Sequence, residues 1–229
     1  MSSSTLGTDA SAIRLWYNPL NMENNSVDLI PSADEVMGIL TKTGAYRKGH
    51  FIYPNGKHAS HYFQMPLAFR YYDNARILSV GLSRMFRMEK SIASALPKVS
   101  VISPSPGGIM VAFGVREALG AHQIYWAEME DGKRQFRQYM SNYEVYPAII
   151  VDDINRSGKA IKECIQLVKD IGSEVIGIGT IASFEDAPQE FDGIPAKSLL
   201  KFDVNFYGTE NEWKSSHQDS TAETETVRF

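Results

Sequence analysis

The sequence predicts an α/β fold: a twisted, mainly parallel sheet of about five strands flanked by helices, with a small N-terminal hood. Three observations carry this. Short apolar runs such as Ala148-Ile149-Ile150-Val151 are continuous rather than alternating, as in strands buried on both faces. Amphipathic helical stretches separate these runs, so the strands are joined by right-handed crossovers. Two of the runs end in glycine-bearing loops that lead straight into a helix, and in such sheets ligands sit beyond the carboxyl ends of the strands.

Residues 1–30 form a polar extension, partly disordered in expectation and pinned by Leu15, Trp16 and Tyr17. Ser32 then opens a helix, with Glu35 three residues on as a capping box requires, Val36, Ile39 and Leu40 as its buried stripe, and Gly44 at its end. His50 to Tyr53, the turn Pro54-Asn55-Gly56, and Tyr62 to Met65 read as a hairpin that forms the hood with this helix. A second helix starts at Asp73 and points Ile77, Leu78, Leu82 and Met85 inward. Strand 99–102 leads through Pro104-Ser105-Pro106-Gly107-Gly108 into a helix carrying Val111, Val115 and Leu119, and strand 122–126 follows. Strand 148–151 leads into a helix over 159–171, followed by strand 174–181. The domain proper spans 31–212, and residues 213–229, rich in Ser, Thr and Glu, read as a flexible tail.

Composition narrows the function. With 23 Lys+Arg against 27 Asp+Glu the net charge is −4, the wrong sign for a non-specific nucleic-acid binder. Cys164 is the one cysteine, which excludes an internal disulfide and a Cys-rich zinc site. No apolar run approaches the ~18–20 residues of a membrane helix, and Met1 to Ala10 lacks the pattern of a signal peptide. The expectation is a cytoplasmic protein that binds neither nucleic acid nor membrane.

Three segments carry chemistry. In Asp152-Asp153-Ile154-Asn155-Arg156-Ser157-Gly158-Lys159-Ala160, two acids end a strand and a one-glycine loop opens a helix. Free amides at that helix start suit a phosphate, and the acids suit sugar hydroxyls. An acidic strand end that only caps the helix is the plain alternative. A nucleotide triphosphatase would need G-x-x-x-x-G-K-[ST], which is absent, as is G-x-G-x-x-G. In the second segment, adjacent Gly107 and Gly108 present backbone amides to an anion, or make an ordinary turn. In the third, Glu128 to Arg137 reads as a polar hairpin whose Lys133, Arg134 and Arg137 meet a polyphosphate, or as a solvated tip.

From about Ser32 to Leu200 the chain resembles the orotate phosphoribosyltransferases, of type I phosphoribosyltransferase fold. The resemblance rests on four segments in order: Gly49-His50-Phe51 through Asn55-Gly56-Lys57-His58 to Tyr62-Phe63-Gln64; Pro104 to Gly108; Glu128 to Arg137; and Asp152 to Ala160. It implies transfer of a phosphoribosyl group from phosphoribosyl pyrophosphate to a nitrogen base with release of pyrophosphate. Asp152 and Asp153 would hold the ribose hydroxyls. Ser157, Gly158, Lys159 and Ala160 would hold the 5-phosphate, and Gly107 and Gly108 the pyrophosphate. Lys133, Arg134 and Arg137 would screen the leaving charge, with Lys57 and His58 on the hood near the base. Mg²⁺ would arrive on the phosphoribosyl pyrophosphate rather than in a protein metal site, and the protein would be a homodimer.

The chain also departs from the family pattern. Asn155, Arg156 and Ala160 replace an aliphatic, a threonine and a hydroxyl residue of the phosphate loop, and Met129 stands where the lid often has arginine. Arg156 either adds a cation to the phosphate or fills its pocket, with Asp152, Asp153 and Glu163 as alternative partners. Where the family carries an Asp-Arg pair that meets the base, this chain has Ser183-Phe184, suited to stacking on a base. These departures leave two other readings: a non-catalytic nucleotide-binding or regulatory protein, and a transferase for a base other than orotate.

Overall fold

The computed structural model describes residues 30–137, 144–217 and 223–227, so the extension and its Leu15, Trp16 and Tyr17 lie outside the described residues. Helix α1 (Ala33–Thr43) starts with the expected capping box: Glu35 N donates to Ser32 Oγ at 3.2 Å and Ser32 N to Glu35 Oε2 at 2.8 Å. Strands β1 (Tyr46–Ile52) and β2 (His58–Phe63) form the hairpin, and α2 (Pro66–Phe69) and α3 (Tyr72–Arg87) follow. Leu78 and Leu82 of α3 are buried, but Ile77 is 44% exposed and lies outside the stripe expected of it. Next come α4 (Lys90–Ala95), β3 (Ser100–Ser103), α5 (Ile109–Leu119), β4 (Gln123–Trp126), and the short pair β5 (Glu128–Glu130) and β6 (Lys133–Gln135). The chain continues through β7 (Ala148–Asn155), α6 (Lys159–Asp170), β8 (Val175–Phe184), β9 (Glu190–Phe191) and β10 (Ile194–Phe202). It ends on β11 (Phe206–Tyr207), α7 (Glu210–Ser216) and β12 (Thr224–Thr226).

The main sheet runs β4-β3-β7-β8-β10-β9, parallel except for the two-residue edge strand β9. Its central strands serve two cores. Val101, Ile149 and Val151 pack with Leu78, Leu82, Val111 and Val115, whereas Ile102, Ile150 and Ile178 pack with Ile161, Ile165 and Val168 of α6. Alternate side chains point to opposite faces of a strand, so a strand covered on both faces must be apolar at every position. The sheet order also fixes the site. From β3 the chain crosses through α5 to β4 on one side, and from β7 through α6 to β8 on the other. The crevice of such a sheet opens between two neighbouring strands whose connections leave in opposite directions, here β3 and β7.

The hood is larger than the N-terminal helix and hairpin expected. It is a sheet ordered β11-β2-β1-β12, two strands of which come from the end of the chain. The segment read as a flexible tail contains the second half of α7, with buried Trp213, and β12, which pairs in parallel with β1. Trp213 stacks on His50 at 3.8 Å, Arg47 makes a two-pronged salt bridge to Glu225 at 2.9 Å, and Val227 is buried. Polar composition concealed a few anchoring side chains. Among the described residues no helix is long and apolar enough to cross a membrane.

Candidate functional site

Two loops meet at the β3–β7 crevice and interlock. Asp152 and Asp153 lie near the end of β7, and Gly107 and Gly108 follow β3. A Cβ on Gly107 would stand 2.7 Å from Asp153 Oδ2, and one on Gly108 would stand 2.4 Å from Asp152 Oδ1 and 2.9 Å from Asp152 Cα. Only glycine allows this approach. Ser105 Oγ donates to Asp152 Oδ1 at 2.6 Å and so ties the first loop to the second. Sequence reasoning gave Ser105 no role; its one signal was its place between Pro104 and Pro106, in a loop that faces the acids.

The acids differ in setting. Asp152 is 4% exposed and its Oδ1 also accepts from Asp153 N at 3.0 Å. Asp153 is half-buried, and its Oδ1 accepts from Ile154 N at 2.9 Å. Burial raises the pKa of both above the ordinary carboxylate value, and for Asp152 the neighbouring Asp153 charge adds to the effect. The sign for stability follows. A buried acid with a raised pKa holds its proton more tightly when folded, so stability falls as pH rises from the ordinary carboxylate value, about 3.9, through the raised one. Asp152→Asn keeps an acceptor for Ser105 and removes the buried charge. It is expected to melt several degrees higher than the wild type at pH 7–8, with the gap closing towards pH 3; calorimetry across that range checks it, and an unchanged or lower melting temperature at pH 7–8 contradicts it.

The loop after the acids turns into α6 at Gly158, whose φ of 71° is left-handed. Ser157 and Lys159 are exposed, Ala160 is half-buried, and Lys159 N donates to Ser157 Oγ at 3.5 Å. No N-cap side chain covers this helix start, so its first backbone amides and the positive end of its dipole face the loop. Asn155 is buried, and its Nδ2 donates to the Pro188 carbonyl at 2.9 Å. This departure from the family pattern therefore braces the loop from behind. Arg156 is exposed and reaches the hood, with its guanidinium 5.8 Å from the Tyr53 ring centroid and 5.9 Å from that of Phe206. Among the described residues it makes no ion pair with Asp152, Asp153 or Glu163.

The hairpin of β5 and β6 turns at Asp131-Gly132, with φ of 51° and 75°, the positive pair that a tight two-residue turn needs. Its cations have different fates. Arg134 Nε binds Glu163 of α6 at 3.0 Å, and its Nη1 donates to the Pro104 carbonyl. Arg134 thus ties the hairpin to the loop after β3 and to α6 and is not a free cation for polyphosphate. Arg137 pairs with Glu128 at 3.1 Å, Lys133 is exposed, and Met129 points outward. On the hood Lys57 is exposed at the turn. His58 is buried instead, its Nδ1 2.7 Å from His50 Nε2, while His50 Nδ1 lies 2.8 Å from Thr224 Oγ1. The structure gives His58 to this packed cluster and not to the crevice. Phe184 is 3% exposed among Phe63, Phe202 and Phe206, so it is core and offers no ring to a base. Among the described residues no group of three or more His, Cys, Asp or Glu side chains could hold a metal.

No family model matches the chain. The orotate phosphoribosyltransferase of Caldanaerobacter subterraneus subsp. tengcongensis is 32% identical over 177 residues, covering 77% of this chain and 88% of the relative. That of Thermotoga petrophila is 32% identical over 173 residues, covering 76% and 88%. Among solved structures, orotate phosphoribosyltransferase from Aeropyrum pernix superposes with a TM-score of 0.54 at 16% identity, covering 72% of this chain and 93% of the other. Leishmania donovani UMP synthase gives 0.59 at 15% identity, covering 83% and 40%. The structural likeness carries the fold, and the sequence likeness over most of both chains carries the family. With its two interlocked loops at the β3–β7 crevice, the chain belongs to the orotate phosphoribosyltransferase family.

Proposed function

We propose that the protein transfers a phosphoribosyl group from phosphoribosyl pyrophosphate to orotate, with release of pyrophosphate. The observation that supports this reading is the interlock of Gly107 and Gly108 with Asp153 and Asp152, which sets two glycine-bearing strand-end loops side by side with a pair of acids between them. In this reading the acids accept hydrogen bonds from the ribose hydroxyls. Amides at Ser157, Gly158, Lys159 and Ala160 hold the 5-phosphate, and those of Gly107 and Gly108 hold the pyrophosphate. Mg²⁺ enters on the substrate's oxygens, as this hard cation commonly does, and the oxygen-only donor set of Asp152 and Asp153 suits it. As the bond at C1 breaks, that carbon takes on oxocarbenium character, and positive charge on the sugar separates from negative charge on pyrophosphate. Catalysis is then mostly positioning and charge stabilisation.

Within the hairpin, Lys133 is the cation free to meet the leaving group, while Arg134 fixes the hairpin to α6 and Arg137 pairs within it. Lys133→Ala is expected to lower kcat on the order of 10²-fold, the cost of losing one preorganised donor, with less change in KM, because the leaving charge develops in the transition state. A loss confined to KM would make Lys133 a plain anion binder. A homodimer remains the expectation. An apolar groove between α3 and α5, about 550 Å³ in volume and bordered by exposed Tyr72, Met110 and Phe113, supports it.

The test of the site is calorimetric. Phosphoribosyl pyrophosphate with Mg²⁺ is expected to bind once per chain, and pyrophosphate and ribose 5-phosphate, each alone, are expected to compete with it. Absence of binding overturns the reading.

A further inference from the structure

Two loops hold the sugar, the phosphate and the pyrophosphate in this reading, so the base is left to the hood side of the crevice. Orotate is a pyrimidine carboxylate and brings a full negative charge there. Burying that charge without a partner is costly, so the hood side needs a cation. Most nearby cations are committed: Arg134 to Glu163 and Pro104, Arg137 to Glu128, and Lys159 to Glu163 at 3.8 Å. The strand end at Ser183-Phe184 carries no cation, and Phe184 is buried in an aromatic cluster.

Arg156 is different in each respect. It lies three residues beyond Asp153, yet its guanidinium rests against Tyr53 at the end of β1 and Phe206 of β11, both parts of the hood. Among the described residues no carboxylate lies within ion-pairing distance of it. Burial pushes the Tyr53 hydroxyl up to about 12, so its ring is a neutral platform and not a phenolate partner. Two aromatic faces restrain the guanidinium while leaving its N–H groups unpaired by any acid. A planar fork held in this way matches a carboxylate through two parallel hydrogen bonds, which the exposed, flexible Lys57 ammonium does not.

We propose that Arg156 is a specificity-determining residue that binds the carboxylate of an anionic base, in place of a phosphate. The assignment rests on the transferase reading and adds the recognition of its acceptor. It makes the departure at position 156 a relocation of positive charge from the far strand end to the loop.

The test compares wild type, Arg156→Gln and Arg156→Lys with orotate and with uracil, the same ring without the carboxylate. Three quantities are read: kcat and KM for each base, the dissociation constant of phosphoribosyl pyrophosphate with Mg²⁺, and direct calorimetric binding of orotate. Arg156→Gln is expected to weaken orotate roughly 10- to 150-fold, the range for a hydrogen bond to a charged group. Uracil and phosphoribosyl pyrophosphate should change by less than about twofold, and lysine should restore only part of the loss. Three results overturn the assignment: an equal loss for phosphoribosyl pyrophosphate, which makes Arg156 a phosphate ligand; equal losses for both bases, which make it a hood brace; or no loss. If the wild type binds orotate but releases no pyrophosphate, and binding still falls in Arg156→Gln, the transferase reading fails and the Arg156 assignment stands.

Discussion

Asp153→Asn is expected to weaken phosphoribosyl pyrophosphate binding by roughly 10- to 150-fold. The half-buried carboxylate uses Oδ1 for the Ile154 amide, and its Oδ2 lies against Gly107 at the mouth of the crevice. A hydrogen bond to a charged acceptor is worth about 1.5–3 kcal/mol, which sets that range. Asn keeps the shape and loses the charge, so the fold should survive. Titration calorimetry of Asp153→Asn and Asp152→Asn decides between sugar binding and helix capping. Sugar binding costs affinity, whereas capping costs stability and leaves the dissociation constant alone. Unchanged affinity in both variants removes the acids from the sugar site.

Gly108→Ala should have a still larger effect. Its Cβ would stand 2.6 Å from Ser103 Oγ and 2.9 Å from Asp152 Cα. The second of these is backbone, so no side-chain rotation relieves it, and the loop after β3 must move off the end of β7. Overpacking of this kind costs about 1–3 kcal/mol of stability. Misplacing bound groups by about 1 Å costs on the order of 10²-fold in rate, so turnover should fall by at least that much. Gly38→Ala is the control. Gly38 is exposed in α1 with nothing within 4 Å of an added Cβ, so this change should stabilise the protein by roughly 0.5–1 kcal/mol and leave turnover alone. Full activity in Gly108→Ala would mean that the two loops do not act together.

The sequence was most legible where one local rule decides the outcome. Ser32 and Glu35 mark the start of α1, the polar run Glu128 to Arg137 marks the hairpin, and the unbroken apolar run of β7 reveals a strand with a core on each side. Strand β10 escaped individual notice because Pro195, Lys197 and Ser198 interrupt its apolar pattern. The end of the chain was misread because Trp213, Glu225 and Val227 anchor it through partners on β1 or its flanks, more than 150 residues away in sequence.

At the site, the sequence named the loops and the acids but not how side chains are shared among them. Arg134, Lys133 and Arg137 look alike in a charged run. Only the approach of α6 separates Arg134, through Glu163, from its neighbours. Likewise His58 follows the exposed hood turn at Lys57, yet it opens β2 buried against His50, and the paired burial along that strand gives no alternation from which to read this. Arg156 looked like an addition to the phosphate loop because it is flanked by that loop. Its side chain is long enough to leave the loop for the hood, and sequence spacing does not report that direction.

The central claim, phosphoribosyl transfer at the interlocked loops, is tested most directly by product stoichiometry. Wild-type protein is incubated with orotate, phosphoribosyl pyrophosphate and Mg²⁺, and pyrophosphate and nucleotide are quantified by mass spectrometry. The expected result is one pyrophosphate released for each orotate joined to the sugar, with no product when either substrate is omitted and at least a ~10²-fold lower rate in Gly108→Ala. Phosphoribosyl pyrophosphate bound at the site with no orotate-dependent release of pyrophosphate would contradict the claim.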